Sequence, residues 1–369
     1  MEQAPLALRA APDFSGSYDS EDVVFLLKPS AIEPVDIAAK EALIQSGAAH
    51  YSEMLSAEKL PDARYMSLYA EALARNAGRL RCDIETLAEA IQRRPETARQ
   101  CIIVSLARAG TPIGILLKRA LARRGVAVHH YSVSIIRGRG IDRNALRRIR
   151  DSHGVASSIF VDGWTGKGAI KGELERSLAE DGLGFAPFLA VVADPAGRAD
   201  LAATTEDYVI PSGLLNGIVS GLISRSVLTD ALVGPEDFHA CLFQTQFAAQ
   251  DLSRQFIADI EAAPWPDAPT GGWTPEAAGV ARIASRQLVA DLLQECGMTD
   301  VNRLKPGIAE ATRAVLRRMP DRIYVKDLGD PEIQHLRHLA VTNGVDVVAR
   351  DLHNYRAVTI IKNLGGDQA

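Results

Sequence analysis

The fold is decided by one stretch of the chain, Ser158-Ile159-Phe160-Val161-Asp162-Gly163-Trp164-Thr165-Gly166-Lys167-Gly168. Its first half is apolar and predicts a strand buried on both faces of a sheet. A helical pattern follows through about residue 180. Glycines let successive backbone N–H groups curve around an anion, and a helix N-terminus adds partial positive charge. The stretch therefore predicts a strand–turn–helix unit whose turn binds phosphate.

Similar apolar runs recur on both sides of this stretch. They predict further strands over residues 102–106, 126–136 and 188–193. Between the first two, apolar residues from Ile113 to Leu121 recur at helical spacing, which predicts an amphipathic helix ended by Gly125. Strands that alternate with helices indicate βαβ units, right-handed crossovers and a parallel sheet. The sequence thus predicts an α/β fold with a central parallel sheet.

The remaining sequence divides the chain into five regions. We expect a flexible arm, a helical region that begins with the apolar run at 23–27, the α/β core, a Pro/Gly-rich loop with two helices (276–296 and 304–318), and a small α/β module. These regions span residues 1–20, 21–100, 101–261, 262–320 and 321–369.

Composition excludes several classes of protein. The 369 residues are 47% hydrophobic and carry a formal net charge of −5, which is typical of globular proteins and argues against a generally basic nucleic-acid coat. Four widely spaced cysteines with no CxxC pair favour a reducing compartment over a disulfide scaffold or zinc ribbon. The sequence shows no signal-peptide pattern and no transmembrane run. We expect a soluble, cytoplasmic protein.

The turn after residue 161 does not follow two common phosphate-loop patterns. A Walker A loop would need glycine at Val161 and a hydroxyl residue at Gly168, and no GxGxxG spacing follows the strand. Asp162 offers only acceptors and so suits sugar hydroxyls, while Lys167 adds a positive charge. This composition favours a phosphorylated sugar, and an ordinary tight turn is the alternative.

A second loop of this kind, Ala107-Arg108-Ala109-Gly110-Thr111-Pro112, follows the first core strand. Its small residues allow a ligand to approach the backbone, and the planar guanidinium of Arg108 suits phosphate. A surface arginine in an ordinary turn is the alternative. Both loops lie at the carboxyl ends of strands in one predicted sheet, which is where α/β sheets bind ligands.

Together the two loops resemble the pyrophosphate loop (106–110) and the phosphoribosyl diphosphate (PRPP) loop (160–170) of type I phosphoribosyltransferases. The wording Val-Asp-Gly-Trp-Thr-Gly-Lys-Gly, with His50-Tyr51-Ser52-Glu53 and Arg64-Tyr65 upstream, is similar to a phosphoribosyltransferase-like family of bacterial tellurite-resistance and stress gene clusters. That family is also labelled the StiP-type cysteine proteases. The likeness covers about residues 20–320, and the tail (321–366) resembles a small pelota-type RNA-binding module.

The resemblance implies that a nucleophile displaces pyrophosphate from the anomeric carbon of PRPP. Mg²⁺ would be held mainly by ligand and water, with no direct protein ligand assigned. Asp162 would hold the ribose hydroxyls, and Arg108 with the amides of Ala109 and Gly110 would bind pyrophosphate. The 5-phosphate would be bound by residues of the turn, namely Gly163, Thr165, Gly166, Lys167, Gly168 and Ala169. We therefore expect a phosphoribosyltransferase that makes a ribosylated or nucleoside-like metabolite in a stress response, with Asp162, Lys167 and Arg108 as its catalytic residues.

Two points keep alternatives open within this interpretation. Gly163 stands where the PRPP motif usually has a second acid, so a related phosphoribosyl ligand or a non-catalytic sensor is the second hypothesis. Arg137 and Arg139 belong either to a mobile loop that closes over the diphosphate or to a solvated basic helix start.

The protease label directs attention to Cys241 as an alternative nucleophile. A cysteine nucleophile needs a base, and the sequence around Phe238-His239-Ala240-Cys241 matches no known protease signature, although a distant histidine could approach in the fold. His335 and His338 are expected on a solvent-facing helix rather than in a zinc site.

The tail carries a balanced charge. Residues 321–366 include six Lys or Arg and six Asp or Glu. Binding of RNA is therefore implied by the resemblance alone. The alternative is that the tail acts as a structural cap or dimerisation element of a homo-oligomer.

Overall fold

The computed structural model describes residues 13–267 and 272–364. Up to residue 204 its strands and helices are β1 (Val24–Leu26), β2 (Lys28–Pro29), α1 (Ile37–Gln45), α2 (Ala63–Gln92), β3 (Gln100–Leu106), α3 (Gly110–Arg123), β4 (Ala127–Val133), β5 (Ile135–Ile136), β6 (Gly140–Ile141), α4 (Arg143–His153), β7 (Ser158–Trp164), α5 (Ala169–Asp181), β8 (Leu189–Ala193) and β9 (Leu201–Thr204).

A six-stranded sheet forms the core, in the order β1-β4-β3-β7-β8-β9, and all of its neighbouring strands are parallel. Alternate side chains of each strand point to opposite faces. Ile103 and Val161 pack with α2 and α3 on one face. Val104 and Phe160 pack with α4 and α5 on the other. The predicted α/β fold with a parallel sheet is confirmed.

The strand order reverses between β3 and β7. From β3 the chain moves to β4 on one side, and β7, β8 and β9 then lie on the other side. The carboxyl ends of β3 and β7 therefore flank the switch point of the sheet, where ligands of α/β proteins bind. Gly110 lets α3 start against β7, because a Cβ there would lie 2.3 Å from the Val161 carbonyl oxygen.

The rest of the chain adds a second sheet. Its elements are β10 (Ala240–Cys241), α6 (Ser253–Ala262), α7 (Pro275–Glu295), β11 (Leu304–Pro306), α8 (Ile308–Arg317), β12 (Pro320–Val325), α9 (Gln334–Asn343), β13 (Asp346–Ala349) and β14 (Ala357–Ile361). The sheet has the order β11-β14-β12-β13, with β14 antiparallel to both of its neighbours. We call the unit formed by β11 to β14, α8 and α9 the C-terminal module.

Two elements differ from the sequence-based expectation near the N-terminus. The apolar run at 23–27 forms β1, which pairs with β4, because a short apolar run with no helical period suits a buried strand. Residues 1–12 of the predicted arm lie outside the described residues. The part from 13 to 20 is packed, and buried Tyr18 donates a hydrogen bond to the Val219 carbonyl.

Two further differences concern breaks within predicted elements. The strand expected over 126–136 ends at Val133, and the antiparallel pair β5–β6 follows. The helix expected over 304–318 is split by Gly307, whose φ of 93° is left-handed, into β11 and α8. The C-terminal sheet consequently starts before the predicted boundary at 321.

In the described part of the chain, no helix combines the length and apolar character needed to cross a membrane.

Candidate functional site

A cavity of about 320 Å³ lies at the carboxyl ends of β3 and β7. The turn after β7 and the loop after β3 form one side of it. Residues of the N-terminal region and of β11 and α8 form the other side. The cavity therefore occupies the switch point of the core sheet and is covered by the C-terminal module.

The turn after β7 presents unpaired amides to this cavity. Residues 166–170 line it, and within the described ranges their backbone N–H groups have no hydrogen-bond acceptor. Helix α5 begins at Ala169, so the first N–H groups of a helix are among them. Gly168 allows the turn with a left-handed φ of 82°. This arrangement can bind an anion through backbone groups.

Thr165 anchors the turn to the sheet. Its hydroxyl donates to Asp194 Oδ1 at 2.6 Å, and its amide donates to the Ala193 carbonyl. Thr165 lines the cavity, but its hydroxyl proton is already used in this contact.

Asp162 is half-buried at the end of β7, and one carboxylate oxygen accepts the Gly163 amide at 2.8 Å. Burial raises the pKa of Asp162 to about 7, with the Gly163 hydrogen bond and Arg313 opposing and Glu310 adding to the rise. Among the described residues its other oxygen has no donor, so it is free to accept hydrogen bonds from a ligand.

Lys167 ties the turn to the C-terminal module. Its ammonium donates to the carbonyl of Val301 and, at 3.0 Å, to that of Leu304. Burial lowers the pKa of Lys167 to about 7, and the charges of Lys305 and Arg137 lower it further. The side chain lines the cavity, and these two hydrogen bonds fix its position.

The loop after β3 can contact a ligand through its backbone amides rather than through the guanidinium of Arg108. The buried guanidinium of Arg108 donates to the Ile223 carbonyl at 2.6 Å, to Asn216 Oδ1 at 3.1 Å and to the carboxylate of Glu58. Within the described chain the amides of Arg108 and Ala109 have no acceptor, and both residues line the cavity. The positive charge of Arg108 is thus neutralised by a protein carboxylate.

The cavity is strongly basic. Its lining includes two carboxylates, Asp162 and Glu310, against ten Lys and Arg residues, namely Lys40, Arg108, Arg137, Lys167, Lys171, Arg225, Lys305, Arg313, Arg317 and Arg318. Arg108, Lys171 and Arg318 form ion pairs with carboxylates. The other seven form none with any described residue. Their arrangement suits a ligand that carries several negative charges.

Burial and repulsion by neighbouring charges lower the pKa values of several of these cations. Burial lowers the pKa of Lys40, which is 5% exposed, to about 7, and Arg225, Arg317 and Arg318 add to the effect. Burial likewise lowers the pKa of Lys305 to about 8. A buried cation without a counter-ion is costly, and a bound anion relieves that cost.

The ten Lys and Arg residues that line the cavity form what we call the basic wall, and the sequence analysis did not identify most of them. Arg313, Arg317 and Arg318 do leave a signal, because residues four apart on a helix share a face, but the charge count of the tail began at residue 321. Lys40 and Arg225 leave none, since only the fold brings them to the cavity.

Four predicted site residues are not among those that line the cavity: Gly110, Gly163, Arg139 and Cys241. Gly110 packs against β7, and Arg139 forms an exposed ion pair with Glu53 at 2.6 Å. Arg137 does line the cavity, and its amide donates to the Tyr51 hydroxyl at 2.8 Å. The basic pair at 137 and 139 is therefore divided between the cavity and the surface.

Cys241 is buried in β10, and burial raises the pKa of its thiol to about 12. The nearby His239 lies with Nδ1 2.8 Å from the Ser134 hydroxyl. Across the described ranges, which include all four cysteines, no cysteine is hydrogen-bonded to a histidine. The arrangement does not provide the activated thiolate that a cysteine nucleophile requires.

The histidines of α9 differ from their expected solvent exposure. His335 is buried against Thr312, with Nε2 2.7 Å from the hydroxyl, and burial lowers its pKa to about 3. The expectation is wrong for His335 because one face of α9 packs on α8. His338 lies 2.9 Å from the Asp62 carboxylate.

Comparison with known families gives two matches along the chain. The model described as tellurite-like stress resistance cysteine protease StiP matches residues 16–261, and the PELOTA RNA binding domain matches residues 283–363. A curated relative, cysteine protease StiP of Acinetobacter baylyi, is 43% identical over 366 residues, covering 95% of each chain. The resemblances to the StiP family and to a pelota-type module are confirmed, and the module match begins at residue 283 rather than at the predicted 321.

Solved structures with some likeness include two phosphoribosyltransferases. Hypoxanthine phosphoribosyltransferase from Trypanosoma cruzi, in complex with IMP, is 13% identical with a TM-score of 0.29, covering 36% of this chain and 79% of that chain. The enzyme from Leishmania tarentolae, in complex with GMP, is 14% identical with a TM-score of 0.24, covering 39% and 82%. At such TM-scores the likeness carries no weight for the fold or activity of this chain.

Proposed function

The chain belongs to the StiP family, and from the geometry of its basic cavity we propose that it binds PRPP or a related phosphoribosyl diphosphate and transfers the phosphoribosyl group to an acceptor. One observation carries this proposal. Within residues 13–267 and 272–364, one cavity at the switch point of the sheet is surrounded by a carboxylate oxygen of Asp162 that accepts no hydrogen bond, a row of amides without acceptors and seven cations without ion pairs. A compact ligand with anionic groups at both ends of a sugar satisfies all three.

Each group has a task in this reaction. The amides of residues 166–170 bind the 5-phosphate, and Asp162 accepts hydrogen bonds from the ribose hydroxyls. The acceptor forms a bond to the anomeric carbon and loses a proton. The bond from that carbon to the diphosphate oxygen breaks, and pyrophosphate leaves with the electron pair. Positioning and electrostatic stabilisation then supply the catalysis.

A magnesium ion fits the donors of the cavity. Asp162 and Glu310 are close enough for the charge of Glu310 to raise the pKa of Asp162, so a divalent cation would relieve their repulsion. Mg²⁺ prefers oxygen ligands and keeps several waters, which suits one or two carboxylates with a diphosphate. Bound there, the ion would neutralise charge on the leaving group.

The proposal is tested by following pyrophosphate release from PRPP with Mg²⁺ and a panel of nitrogen and hydroxyl acceptors. We expect release that depends on both Mg²⁺ and an acceptor. Binding of PRPP without release under any condition would instead favour a non-catalytic sensor, the hypothesis raised by Gly163.

The name of the 43%-identical relative supports proteolysis as a second candidate function. Cys241, buried and protonated, argues against it in this chain. Hydrolysis of casein by wild type and Cys241→Ser decides between them. We expect the wild type and Cys241→Ser to behave alike in this assay. Hydrolysis by the wild type that is lost in a correctly folded Cys241→Ser would instead establish the protease.

The PELOTA match supports RNA as a partner of the C-terminal module. Filter binding of single-stranded and hairpin RNA at 50 and 200 mM salt tests this, because phosphate contacts weaken steeply as salt rises. An affinity that does not change with salt would contradict binding through phosphates.

A further inference from the structure

A diphosphate needs cationic groups that are not already paired with carboxylates of the protein. Arg108 was the expected ligand, but its guanidinium is buried and paired with Glu58. Glu58 also accepts the Gly217 amide at 3.0 Å, which fixes the pair. A cation already neutralised in this way has little charge left for a ligand.

Helix α8 crosses the same cavity, and its cations Arg313 and Arg317 form no ion pair with any residue that the structure describes. Arg313 lies with its guanidinium carbon 4.4 Å from the centre of the ring of Trp164, the last residue of β7. Its Nε is buried and has no hydrogen-bond partner among the described residues. One turn further along the helix, Arg317 Nε donates to Asn216 Oδ1 at 3.0 Å, and the same oxygen accepts from Arg108. The helix thus reaches from the end of β7 to the loop after β3.

The core domain fixes the position of this helix. Asp207 accepts the first amide of α8, from Ile308, at 3.0 Å, and also the amide of Arg356 at 2.9 Å. The Tyr355 hydroxyl donates a hydrogen bond of 2.6 Å to the carbonyl of Gly166, which lies in the turn after β7. Helix α8 is therefore held over the cavity by these contacts of Asp207 and Tyr355 in addition to the hydrogen bond of Arg317.

Two lysines complete the wall. Lys305 precedes α8, Lys40 comes from α1, and neither ammonium has an acceptor in the described part of the chain, although Lys40 is only 5% exposed. An ammonium without a counter-ion on the wall of a cavity favours an anionic ligand.

We propose that the C-terminal module completes the site, with Lys305, Arg313 and Arg317 of the module and Lys40 of the N-terminal region binding the diphosphate of the ligand. In this arrangement Arg108 is a positioning residue that holds Asn216 and the loop amides in place. The identity of the ligand rests on the proposed function, whereas the anion-binding wall does not. The module that matches an RNA-binding family is thereby also part of the small-molecule site.

Calorimetry with inorganic pyrophosphate tests this wall on the full chain without requiring turnover. Lys305→Gln and Arg313→Gln are suitable variants, because neither side chain makes a hydrogen bond within the described residues and its loss leaves no acceptor unpaired. Arg286→Gln, an exposed arginine on α7 outside the cavity, is the matched control. We expect each cavity variant to weaken pyrophosphate binding by about tenfold or more, and the control by less than twofold.

A second readout separates binding from a structural role. Lys305 has no ion pair or hydrogen bond within the described residues, so Lys305→Gln should leave the melting temperature of the free protein unchanged or raise it, whereas removal of a structural contact would lower it. Arg313→Gln also removes the contact with the Trp164 ring, so only Lys305→Gln is compared in this way. Equal pyrophosphate affinity in wild type and both variants, or no binding to folded wild type, would overturn the proposal. If pyrophosphate binds as expected but PRPP gives no turnover and ribose 5-phosphate does not bind, the proposed function fails and the wall remains.

Discussion

The two sides of the cavity were built in different ways. The side formed by the turn after β7 is local, with carboxylate, glycines, lysine and helix start all within residues 162–170. The opposite side is assembled from α1, β11, α8 and Arg225, which are far apart in the sequence. The local side presents backbone amides, and the assembled side presents buried cations. Residues that are neighbours in the sequence therefore determine the type of ligand, whereas the tertiary structure determines how many negative charges that ligand can carry.

The largest effect is expected on the local side, from Asp162→Asn. The amide cannot accept as the carboxylate does, so we expect pyrophosphate release from PRPP to fall roughly 100-fold. Binding of pyrophosphate alone should stay within about threefold of wild type, since its cations lie on the other side. Asp151→Asn, an exposed change on α4, serves as the control. Wild-type turnover in Asp162→Asn would remove this residue from the mechanism.

A smaller effect is expected from the backbone of the turn. Gly168→Ala places a side chain at a φ of 82°, with its Cβ 2.6 Å from Arg198 Cγ, so the turn after β7 must distort. Gly182→Ala at the other end of α5 has a similar φ of 66° but open space around it. We expect both variants to lose about 1 kcal/mol of unfolding free energy, because left-handed backbone disfavours alanine.

Titration calorimetry with ribose 5-phosphate then separates these two glycines. Only Gly168→Ala should weaken binding, by several-fold. Equal affinities for the two variants would show that the amides of the turn after β7 do not bind the phosphate.

The assembled side can be probed by pH. The pKa values of Lys40 and Lys305 are lowered to about 7 and about 8, so both lysines lose protons as the pH rises from 6.5 to 8.5 in the free protein. Lys40 faces Arg225, Arg317, Arg318 and Glu41, and Lys305 faces Arg137, Glu310, Arg318 and Asp300. An anion binds the protonated forms more tightly, so its affinity should fall over this range.

Pyrophosphate itself titrates over the same range, so the measurement compares wild type with Lys40→Gln. The ionisation of the ligand is common to both proteins. We therefore expect the affinity of wild type to fall more steeply with pH, by about threefold over the range. Parallel curves would mean that Lys40 does not contact the anion.

The smallest effect concerns stability. Lys305→Met removes a cation whose depressed pKa shows that its charge is unfavourable in the free protein, so denaturation at pH 7 should give an unfolding free energy higher by about 1 kcal/mol or less. The gain should be largest below about pH 8, shrink as the pH rises further, and vanish only above about pH 10.4, where the lysine is neutral in both the folded and the unfolded protein. Arg286→Met should change little at either pH. A clear loss of stability in Lys305→Met would make Lys305 a structural residue.

The sequence predicted the core because its strands are long apolar runs separated by helical periods, as in β3, β7 and β8. It failed where a strand is short and lacks such a run. Leu304-Lys305-Pro306 carries a lysine and a proline, and only its pairing with β14 makes it a strand. The run at 23–27 was likewise assigned to a helical region, because nothing in the sequence shows that it pairs with β4.

The candidate site was predictable to the same extent. Asp162 and the turn were found because their chemistry depends on neighbouring residues. The pairing of Arg108 with Glu58, fifty positions away in the chain, could not be read from a pattern. The basic face of α8 was visible in the sequence but was assigned to no function, because nothing in the sequence places that helix over the core sheet.

The central claim is that this cavity binds a phosphoribosyl diphosphate. Isothermal titration of the full-length wild type with PRPP and Mg²⁺ tests it most directly, with Arg313→Gln titrated in parallel. The account predicts one molecule of PRPP bound per chain by wild type and an affinity about tenfold lower for the variant. Folded wild type that gives no binding heat with PRPP at any temperature tried would contradict it.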